Sequence, residues 1–427
     1  MVVALHRLLK GGSMVQSVLG LVAFILIAWL ISENRRKVST KIILGGLLLQ
    51  LIIAISILKF PFLKNIFFGI NRFVELVQKS TLEGTKFVFG YIGGGEVPFE
   101  VKPGASTFIL ATQTLPLVII ISVISSILFY WRILPLIVRC FSYVLRKATG
   151  ISGALGLGVA SNIFLGMVES PLMIKPYVSQ MTRSEIFAIM TSGMATISGT
   201  VMFLYAAILD PVVPDALGHI LIASLISAPA AVLIAMTMVP ETEKSAYSEA
   251  RLNFRGADST MDALVKGVDS GLKIFLNIIA MIIVLISLVA LIDKFIAALF
   301  PSVGGQPLSL ERLLGYIMAP LVWLAGVPWK EALTAGQLMG TKTIINELVA
   351  YTKLASLPAC ALSAKSRLIM TYAMCGFANF GSLGIMIAGF RVIAPERQKD
   401  VLSLGIKSII AGTLATLMTG AVVGIVL

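Results

Sequence analysis

Two glutamates lie within apolar stretches of the sequence, Glu169 in Val-Glu-Ser-Pro and Glu347 in Asn-Glu-Leu-Val. If these stretches enter a bilayer, each carboxylate costs at least about 2.5–3.5 kcal/mol on insertion scales and requires a partner or a function. One interpretation is structural, with Glu169 paired to Lys175 and Glu347 to Lys342. The other is a binding site. An ionised carboxylate only accepts hydrogen bonds, whereas the neighbouring Asn346 donates and accepts, so the pattern favours a donor-rich ligand that is neutral or cationic.

Other side chains near these stretches extend this chemistry. Phe377, separated by one residue from Asn379, suits packing against a flat ring or a sugar face, although ordinary helix packing explains it equally well. Asn162 and Thr196, together with carbonyls freed at helix breaks, offer the hard oxygen ligands that Na⁺ accepts. The alternative for such residues is hydrogen bonding between helices. Coupling to H⁺ through one of the carboxylates remains a second option.

Several function classes are disfavoured by residue type and placement. Cys140, Cys360 and Cys375 are scattered, with only two histidines in the chain, so neither a zinc site nor a disulfide framework is expected. No aspartate dyad, zinc motif or Ser/His pair supports an intramembrane enzyme, and a channel would not need a pocket for a bulky ligand. The net charge of +13 does not indicate nucleic-acid binding, because the basic residues sit in short connectors.

The composition predicts a membrane protein. Of the 427 residues, 57% are hydrophobic and 13% charged, and crossing about 30 Å of hydrocarbon takes about 20 helical residues. Ten runs lack Lys, Arg, Asp and Glu: 14–32, 42–58, 103–131, 148–168, 186–209, 216–240, 274–292, 313–329, 368–390 and 408–427. We expect an all-α polytopic protein of the inner membrane. The basic connectors, such as Arg35 to Lys41 and Arg391 to Lys407, should face the cytoplasm.

Runs 148–168 and 313–329 contain several Gly and Pro residues and make poor spanning helices. Each is followed by a segment that holds one of the two glutamates. Broken backbone at membrane depth occurs only where it is buried in protein or lines a cavity, so we interpret these regions as two re-entrant helical hairpins. About eight transmembrane helices then remain.

The two hairpins predict an inverted repeat. Each precedes an uncharged segment with a Gly-rich polar middle, Ser192 to Gly199 and Cys375 to Ser382, which indicates a broken helix. By the charge pattern the first hairpin enters from the cytoplasm and the second from outside, which places the site at the midplane. We expect N-terminal scaffold spans at 14–135, repeats at 140–240 and 309–427, a cytoplasmic linker at 241–269 and a scaffold span at 270–300. An amphipathic stripe predicts an interfacial helix at about 61–90.

Three stretches resemble the concentrative nucleoside transporters: Asn162 to Tyr177, NIFLGMVESPLMIKPY; Gly340 to Tyr351, GTKTIINELVAY; and Gly376 to Ser382, GFANFGS. The resemblance covers most of the chain, and the order of elements is similar to that of a bacterial member of the family. It implies a homotrimer in the membrane lipid, in which a mobile transport domain carries a nucleoside past a fixed scaffold, with Na⁺ as the coupling ion. A carrier of a related metabolite, such as a nucleobase, is the alternative.

The resemblance also implies roles for individual residues. The base would contact Gly166, Met167, Val168, Glu169 and Val201, the ribose would contact Asn346, Glu347, Phe377, Asn379 and Ser382, and Na⁺ would bind Asn162, Thr196 and the carbonyls of Leu165 and Ile197. Where the family commonly has Gly-Gln-Thr-Glu at the first tip, this chain has Gly-Met-Val-Glu. Because two side chains that hydrogen-bond the base are lost, we expect altered or broadened base selectivity.

Overall fold

The computed structural model is built from helices and describes residues 2–102, 107–243, 257–300 and 308–427, with side chains described outside 2–13, 61–71 and Val74. The helices, numbered in chain order, are α1 Val2–Leu30, α2 Thr40–Lys59, α3 Pro61–Phe89, α4 Leu117–Tyr130, α5 Ile133–Thr149, α6 Gly153–Asn162, α7 Glu169–Met173, α8 Lys175–Val178, α9 Arg183–Ala195, α10 Gly199–Leu209, α11 Ala216–Met238, α12 Thr260–Leu299, α13 Leu310–Leu324, α14 Trp329–Ile344, α15 Glu347–Ser356, α16 Ala364–Ala373, α17 Phe380–Ile393 and α18 Gln398–Val426.

Six of the expected spans are present as long helical segments within the described part of the chain. Six helical segments are long and apolar enough to cross a membrane: Thr40–Lys59, Leu110–Tyr130, Arg183–Leu209, Ala216–Met238, Thr260–Leu299 and Pro395–Val426. Two shorter apolar helices occur as well, Met14–Leu30 and Phe380–Ile393. The all-α polytopic fold predicted from the hydrophobic runs is therefore confirmed.

Two helical hairpins occur, and the second lies later in the chain than the Gly/Pro content indicated. The first consists of α6, an irregular tip and α7–α8. In the second, the arms are α14 and α15, and residues 313–329 instead belong mainly to the preceding helix α13. That helix continues through Pro320 and ends at a turn where Gly326 has φ +113°. The chain bends there because glycine tolerates positive φ.

The hairpins enter from opposite ends of the molecule, which confirms the inverted arrangement. At the end of the first hairpin, Arg397, next to the first residue of α18, donates to the carbonyl of Ser179 at 3.2 Å. Beyond the second hairpin, Lys365 donates to the carbonyl of Gly424 near the last residue of α18, at 3.1 Å. The two ends of α18 thus mark the two faces.

Broken helices follow each hairpin, as predicted. The first break separates α9 from α10, where the Ser198 hydroxyl accepts from the amide of Thr200 at 3.4 Å. The second separates α16 from α17, where the Asn379 carboxamide oxygen accepts from the amide of Ser382 at 2.7 Å. Each restarted helix therefore has a side-chain N-cap, which satisfies backbone N–H groups that a break exposes.

The remaining helices form two packing groups. Helices α1 and α2 pack on α11 and α18, whereas α12 packs along α4. In the most apolar window of α11 and of α18, 89% of the residues are buried, against 6% in α12. The core of the described chain thus lies around α9, α11 and α18, and α12 lies at its edge.

One predicted boundary differs, and one helix was not predicted. Helix α12 begins at Thr260, inside the predicted linker 241–269, because Ser259 caps it and Lys266 pairs with Asp262 at 2.7 Å one turn later. Helix α5 was not predicted, and it precedes the first hairpin as α13 precedes the second. Helix α3 lies where the interfacial helix was expected, but most of its apolar stripe, and linker residues 244–256, lie outside the described side chains.

Candidate functional site

Glu347 is the first residue of α15 and lies at the second hairpin tip, with 4% of its surface exposed. One carboxylate oxygen accepts from the Tyr205 hydroxyl at 2.5 Å, and the other accepts from the Asn379 carboxamide at 3.0 Å. The three residues come from α15, α10 and the second helix break. Because a charged acceptor strengthens a hydrogen bond, these contacts fix the direction of the carboxylate.

The two asparagines near Glu347 also cap helices. Asn346 accepts from the amide of Val349 at 2.9 Å and so caps α15, as Asn379 caps α17. Both carboxamides retain donor capacity, which Asn379 directs at Glu347. The N-termini of α15 and α17 therefore meet at one carboxylate, where the partial positive charge of each helix end favours an anion.

A cavity of about 160 Å³ lies next to Glu347. One part of its lining is polar and another is apolar, as expected of a site that orients one ligand by a few polar groups. The lining residues are Met167, Val201, Tyr205, Asn277, Ile278, Met281, Leu285, Ile345, Asn346, Glu347, Leu348, Phe377, Asn379, Gly381, Ser382 and Ile385.

The sequence matches families along nearly its whole length. Residues 19–92 match the family described as Na⁺ dependent nucleoside transporter N-terminus, residues 111–212 the one described as nucleoside recognition (Gate), and residues 219–424 the Na⁺ dependent nucleoside transporter C-terminus. The chain is 31% identical to nucleoside permease NupC of Helicobacter pylori, over 96% of this chain and 97% of that protein. It belongs to the sodium-dependent nucleoside transporter family. As such it is a multi-pass transporter and not an enzyme, and in bacteria its place is the inner membrane.

Further relatives agree with this assignment. The transporter is 34% identical to the putative nucleoside permease NupX of Escherichia coli, over 96% of this chain and 98% of that one. Among solved structures it matches CNTnw in an inward-facing substrate-bound state with a TM-score of 0.85 and 32% identity, covering 97% of this chain and 98% of CNTnw. A double variant of CNTnw in an outward-facing state gives 0.87 at 31% identity, over 98% and 99% of the two chains.

Within the transporter, the structure brings together seven of the ten residues predicted to contact substrate. The seven that line the cavity are Met167, Val201, Asn346, Glu347, Phe377, Asn379 and Ser382. They come from both hairpin tips, α10, α17 and the second break. Met167 lies close to α9 because Gly193 has no side chain, and a Cβ there would lie 2.9 Å from the Met167 Cβ.

The other three predicted residues, Gly166, Val168 and Glu169, do not line this cavity. The Glu169 carboxylate folds back over Gly166, where an added Cβ would lie 2.1 Å from its Oε2 atom. Val168 packs against α17 at Gly389. Neither Glu169 nor Glu347 has an ion pair within 4 Å to Lys175 or Lys342, so the structural alternative of direct pairing is not seen in the described part of the chain.

Sequence reasoning missed the wall supplied by α12, which comprises Asn277, Ile278, Met281 and Leu285. It also missed Tyr205. Asn277 was the available signal, because a carboxamide in an otherwise apolar run requires a partner. Tyr205 carried no such signal, since tyrosines are common in apolar helices and its partner Glu347 lies 142 residues away.

Two of the four predicted sodium ligands, Asn162 and Thr196, meet at the first hairpin tip. Asn162 is the last residue of α6, and its carboxamide oxygen is buried without a hydrogen-bond partner among the described residues, as is the Ser161 hydroxyl. The Thr196 hydroxyl, at the first helix break, can donate its single hydrogen to the Asn162 carbonyl at 3.0 Å or to the Ser192 carbonyl at 2.9 Å, and it keeps its lone pairs free. A buried acceptor without a donor is costly, so oxygen-rich surroundings of this kind fit a hard cation such as Na⁺.

Proposed function

We propose that this transporter imports nucleosides together with Na⁺ and that Glu347 binds the ribose. The observation that carries the proposal is the Glu347 carboxylate, buried at a hairpin tip and aimed by Tyr205 and Asn379 into a cavity. Each carboxylate oxygen can accept more than one hydrogen bond, so ribose hydroxyls can bind without displacing both donors. Asn346, Asn379 and Ser382 complete a polar rim for the sugar, and Phe377 covers it.

The base would lie against the apolar part of the cavity, at Met167 and Val201. Apolar contacts discriminate weakly between heterocycles, so base selectivity should be broad. Gly166, Val168 and Glu169 would reach the base only after the first tip moves. Glu169 would then supply the carboxylate acceptor for a ring N–H group.

The coupling ion is proposed to bind Asn162, Thr196 and the carbonyls of Leu165 and Ile197. Nucleoside uptake into proteoliposomes should follow an imposed inward Na⁺ gradient. Uptake driven by a proton gradient alone would assign the coupling to H⁺ instead. Asn162→Ala should weaken Na⁺ dependence without abolishing nucleoside binding at high Na⁺, whereas Gln50→Met, which alters another buried carboxamide without partners, should leave Na⁺ dependence unchanged.

Transport is proposed to proceed by an elevator motion against α4 and α12. Helices α1 and α2, which the sequence assigned to the scaffold, pack on α11 and α18 and would instead travel with the hairpins. Helices α4 and α12 pack on each other. The cavity of about 160 Å³ is smaller than the roughly 300–1,000 Å³ of typical small-molecule sites. A nucleoside should therefore require movement of the hairpin tips relative to α12. The exposed apolar face of α12 is proposed to meet lipid or the other subunits of a homotrimer.

The test of this function is nucleoside binding and uptake by Glu347→Gln. The amide keeps the size of the side chain but loses one acceptor and the charge, so binding should weaken by at least about a hundredfold. Wild-type affinity and rate in this variant would reject the ribose assignment. A comparison of nucleosides with their free bases, by thermal shift with and without Na⁺, separates a nucleoside carrier from a nucleobase carrier.

A further inference from the structure

Lys342 is a buried lysine that the proposed transport mechanism does not use. It lies in the last turn of α14, no part of its surface is exposed, and its ammonium has no hydrogen-bond partner among the described residues. Buried charges in proteins are normally paired and hydrogen-bonded, because desolvation of an isolated ion is expensive. Arg367, also buried, follows this rule and donates to the carbonyls of Leu354, Leu357, Leu362 and Pro358.

The charge that Lys342 faces is Glu347. Both side chains are buried, and no ion pair within 4 Å joins them in the part of the chain that the structure describes. The two residues lie on opposite sides of the second hairpin tip. Lys342 is in the last turn of α14, and Glu347 is the first residue of α15. At low dielectric an attraction between opposite charges extends beyond contact distance.

The other titratable groups around this tip do not carry charge at neutral pH in their ordinary forms. They are Tyr205 on α10, Tyr351 on α15, Tyr372 on α16 and Cys375 at the second break. On α13, which packs against α14, Glu311 pairs with Lys353 of α15. Among the described groups around this tip, Lys342 and Glu347 are thus the two whose ordinary forms carry opposite charges.

The corresponding part of the first hairpin is built differently. The last turn of its first arm ends in Asn162, whose carboxamide oxygen lacks a partner, and its lysine, Lys175, is exposed on α8. In the first hairpin the positive charge would come from a bound cation, as proposed above. In the second hairpin it would come from the Lys342 side chain.

We propose that Lys342 is a built-in counter-charge that keeps Glu347 ionised and able to accept hydrogen bonds from the ribose. It is a positioning residue and does not itself contact the nucleoside, since it does not line the cavity. This inference rests on the proposed role of Glu347. Without Lys342, Glu347 would be a buried carboxylate without compensation, and such groups take up a proton instead of remaining charged.

The experiment measures nucleoside affinity of Lys342→Met by calorimetry between pH 6 and pH 9, in buffers with different ionisation enthalpies. At pH 7 the variant should bind at least about tenfold more weakly than wild type. Its affinity should rise with pH, because the ionised carboxylate is the form that accepts from the ribose, and nucleoside binding should release a proton. Wild type, Lys342→Arg and Lys330→Met, the last altering an exposed lysine of the same helix, should show no such rise.

A wild-type affinity and pH profile in Lys342→Met would overturn the inference, as would loss of affinity with no dependence on pH. If Lys342→Met does not fold, the double variant Lys342→Met/Glu347→Gln decides, because removing both charges costs less than removing one. The double variant should then fold. If neither variant folds, Lys342 has only a packing role and the inference is rejected. Glu347→Gln alone tests the function itself: wild-type binding there rejects the ribose site, whereas weak binding there with a flat profile in Lys342→Met rejects only the counter-charge.

Discussion

At the scale of single residues, the site depends on a carboxylate held by neutral donors. Tyr205 and Asn379 each donate to one oxygen of Glu347, and each comes from a different helix. Because the donors are buried and fixed, the carboxylate meets its ligand without first having to be oriented. Pre-organisation of this kind lowers the entropic cost of binding.

The Tyr205 hydroxyl should matter for nucleoside affinity. Tyr205→Phe removes a hydrogen bond to a charged group, a contact of about 1.5–3 kcal/mol, so affinity should fall about tenfold or more. The matched control is Tyr351→Phe, which removes an equally buried hydroxyl that donates to the Thr371 carbonyl at 2.8 Å. Binding by scintillation proximity would show the difference, and equal losses in both variants would contradict the role assigned to Tyr205.

Met167 and Val168 should contribute unequally to base selectivity. Met167 lines the cavity, whereas Val168 packs against Gly389 of α17. Met167→Gln would add a donor and an acceptor where the base is proposed to bind, so it should change the order of affinities among nucleosides. Val168→Thr should leave that order nearly unchanged. Competition of a panel of nucleosides against one labelled nucleoside measures both, and a larger effect of Val168→Thr would place the base elsewhere.

At the scale of elements, the turn between α13 and α14 sets the entry of the second hairpin. Gly326 has φ +113°, and an added Cβ would lie 2.4 Å from the Ser17 hydroxyl oxygen of α1. The same hydroxyl oxygen lies 2.5 Å from the position of a Cβ at Gly424 on α18. Helices α1 and α18 and the turn between α13 and α14 thus approach closely at these two glycines.

Gly326→Ala should therefore destabilise the transporter by more than about 1 kcal/mol, since both the backbone conformation and the space disfavour a side chain. The apparent melting temperature in detergent should fall. Ser17→Ala in the same background should recover part of the loss by relieving the contact but not the backbone strain. An unchanged melting temperature in Gly326→Ala would show that the turn is not constrained.

Much of the element order could be predicted from sequence, because hydrophobic runs and Gly/Pro interruptions are local signals. The first hairpin and both breaks were found in this way. Helix α14 was not, since its residues Lys330, Glu331, Gln337 and Lys342 make it look like a polar connector. Hydropathy does not indicate a polar helix that is buried by its neighbours. Helix α14, which carries the buried Lys342 and Thr341, packs against α13, α15, α16 and α17.

At the scale of the whole molecule, charges join distant segments at the face assigned to the cytoplasm. Glu33, after α1, pairs with Arg183 of α9 at 3.1 Å and with Lys407 of α18 at 2.7 Å. Arg183 also pairs with Asp400 of α18 at 3.1 Å. This network holds three helices together at one end. The hydrogen bond from Arg183 lowers the pKa of Glu33 below its ordinary 4.5, with Lys407 adding to the effect and desolvation opposing it.

Glu33→Gln should lower the melting temperature at pH 7. Because the pKa of Glu33 is lowered on folding, its stabilising effect is fully present above 4.5 and is lost as pH falls below that value. The difference in melting temperature between variant and wild type should therefore shrink as the pH falls below 4.5. A difference that stays constant with pH would indicate that packing and not charge is involved.

Asp210, at the opposite end of the molecule, provides a control in which the pKa shift has the opposite sign. Desolvation, together with the charges of Glu75 and Asp215, raises its pKa above the ordinary 3.8. Ionised Asp210 thus destabilises the fold at neutral pH, and Asp210→Asn should raise the melting temperature at pH 7. That gain should disappear as pH falls through the raised pKa toward 3.8, and a loss of stability at pH 7 would contradict the assignment.

The wall that α12 contributes to the cavity has a pharmacological consequence. Gly381 of α17 lies so close to α12 that a Cβ there would be 3.0 Å from Met281 and 3.3 Å from Leu285. If the hairpins move along α12 during transport, the bound ligand must pass Met281 and Leu285, where little space separates α17 from α12. Nucleoside analogues small enough to stay on the hairpin side should be carried, whereas analogues with bulky substituents that pack against Met281 or Leu285 should bind and act as inhibitors.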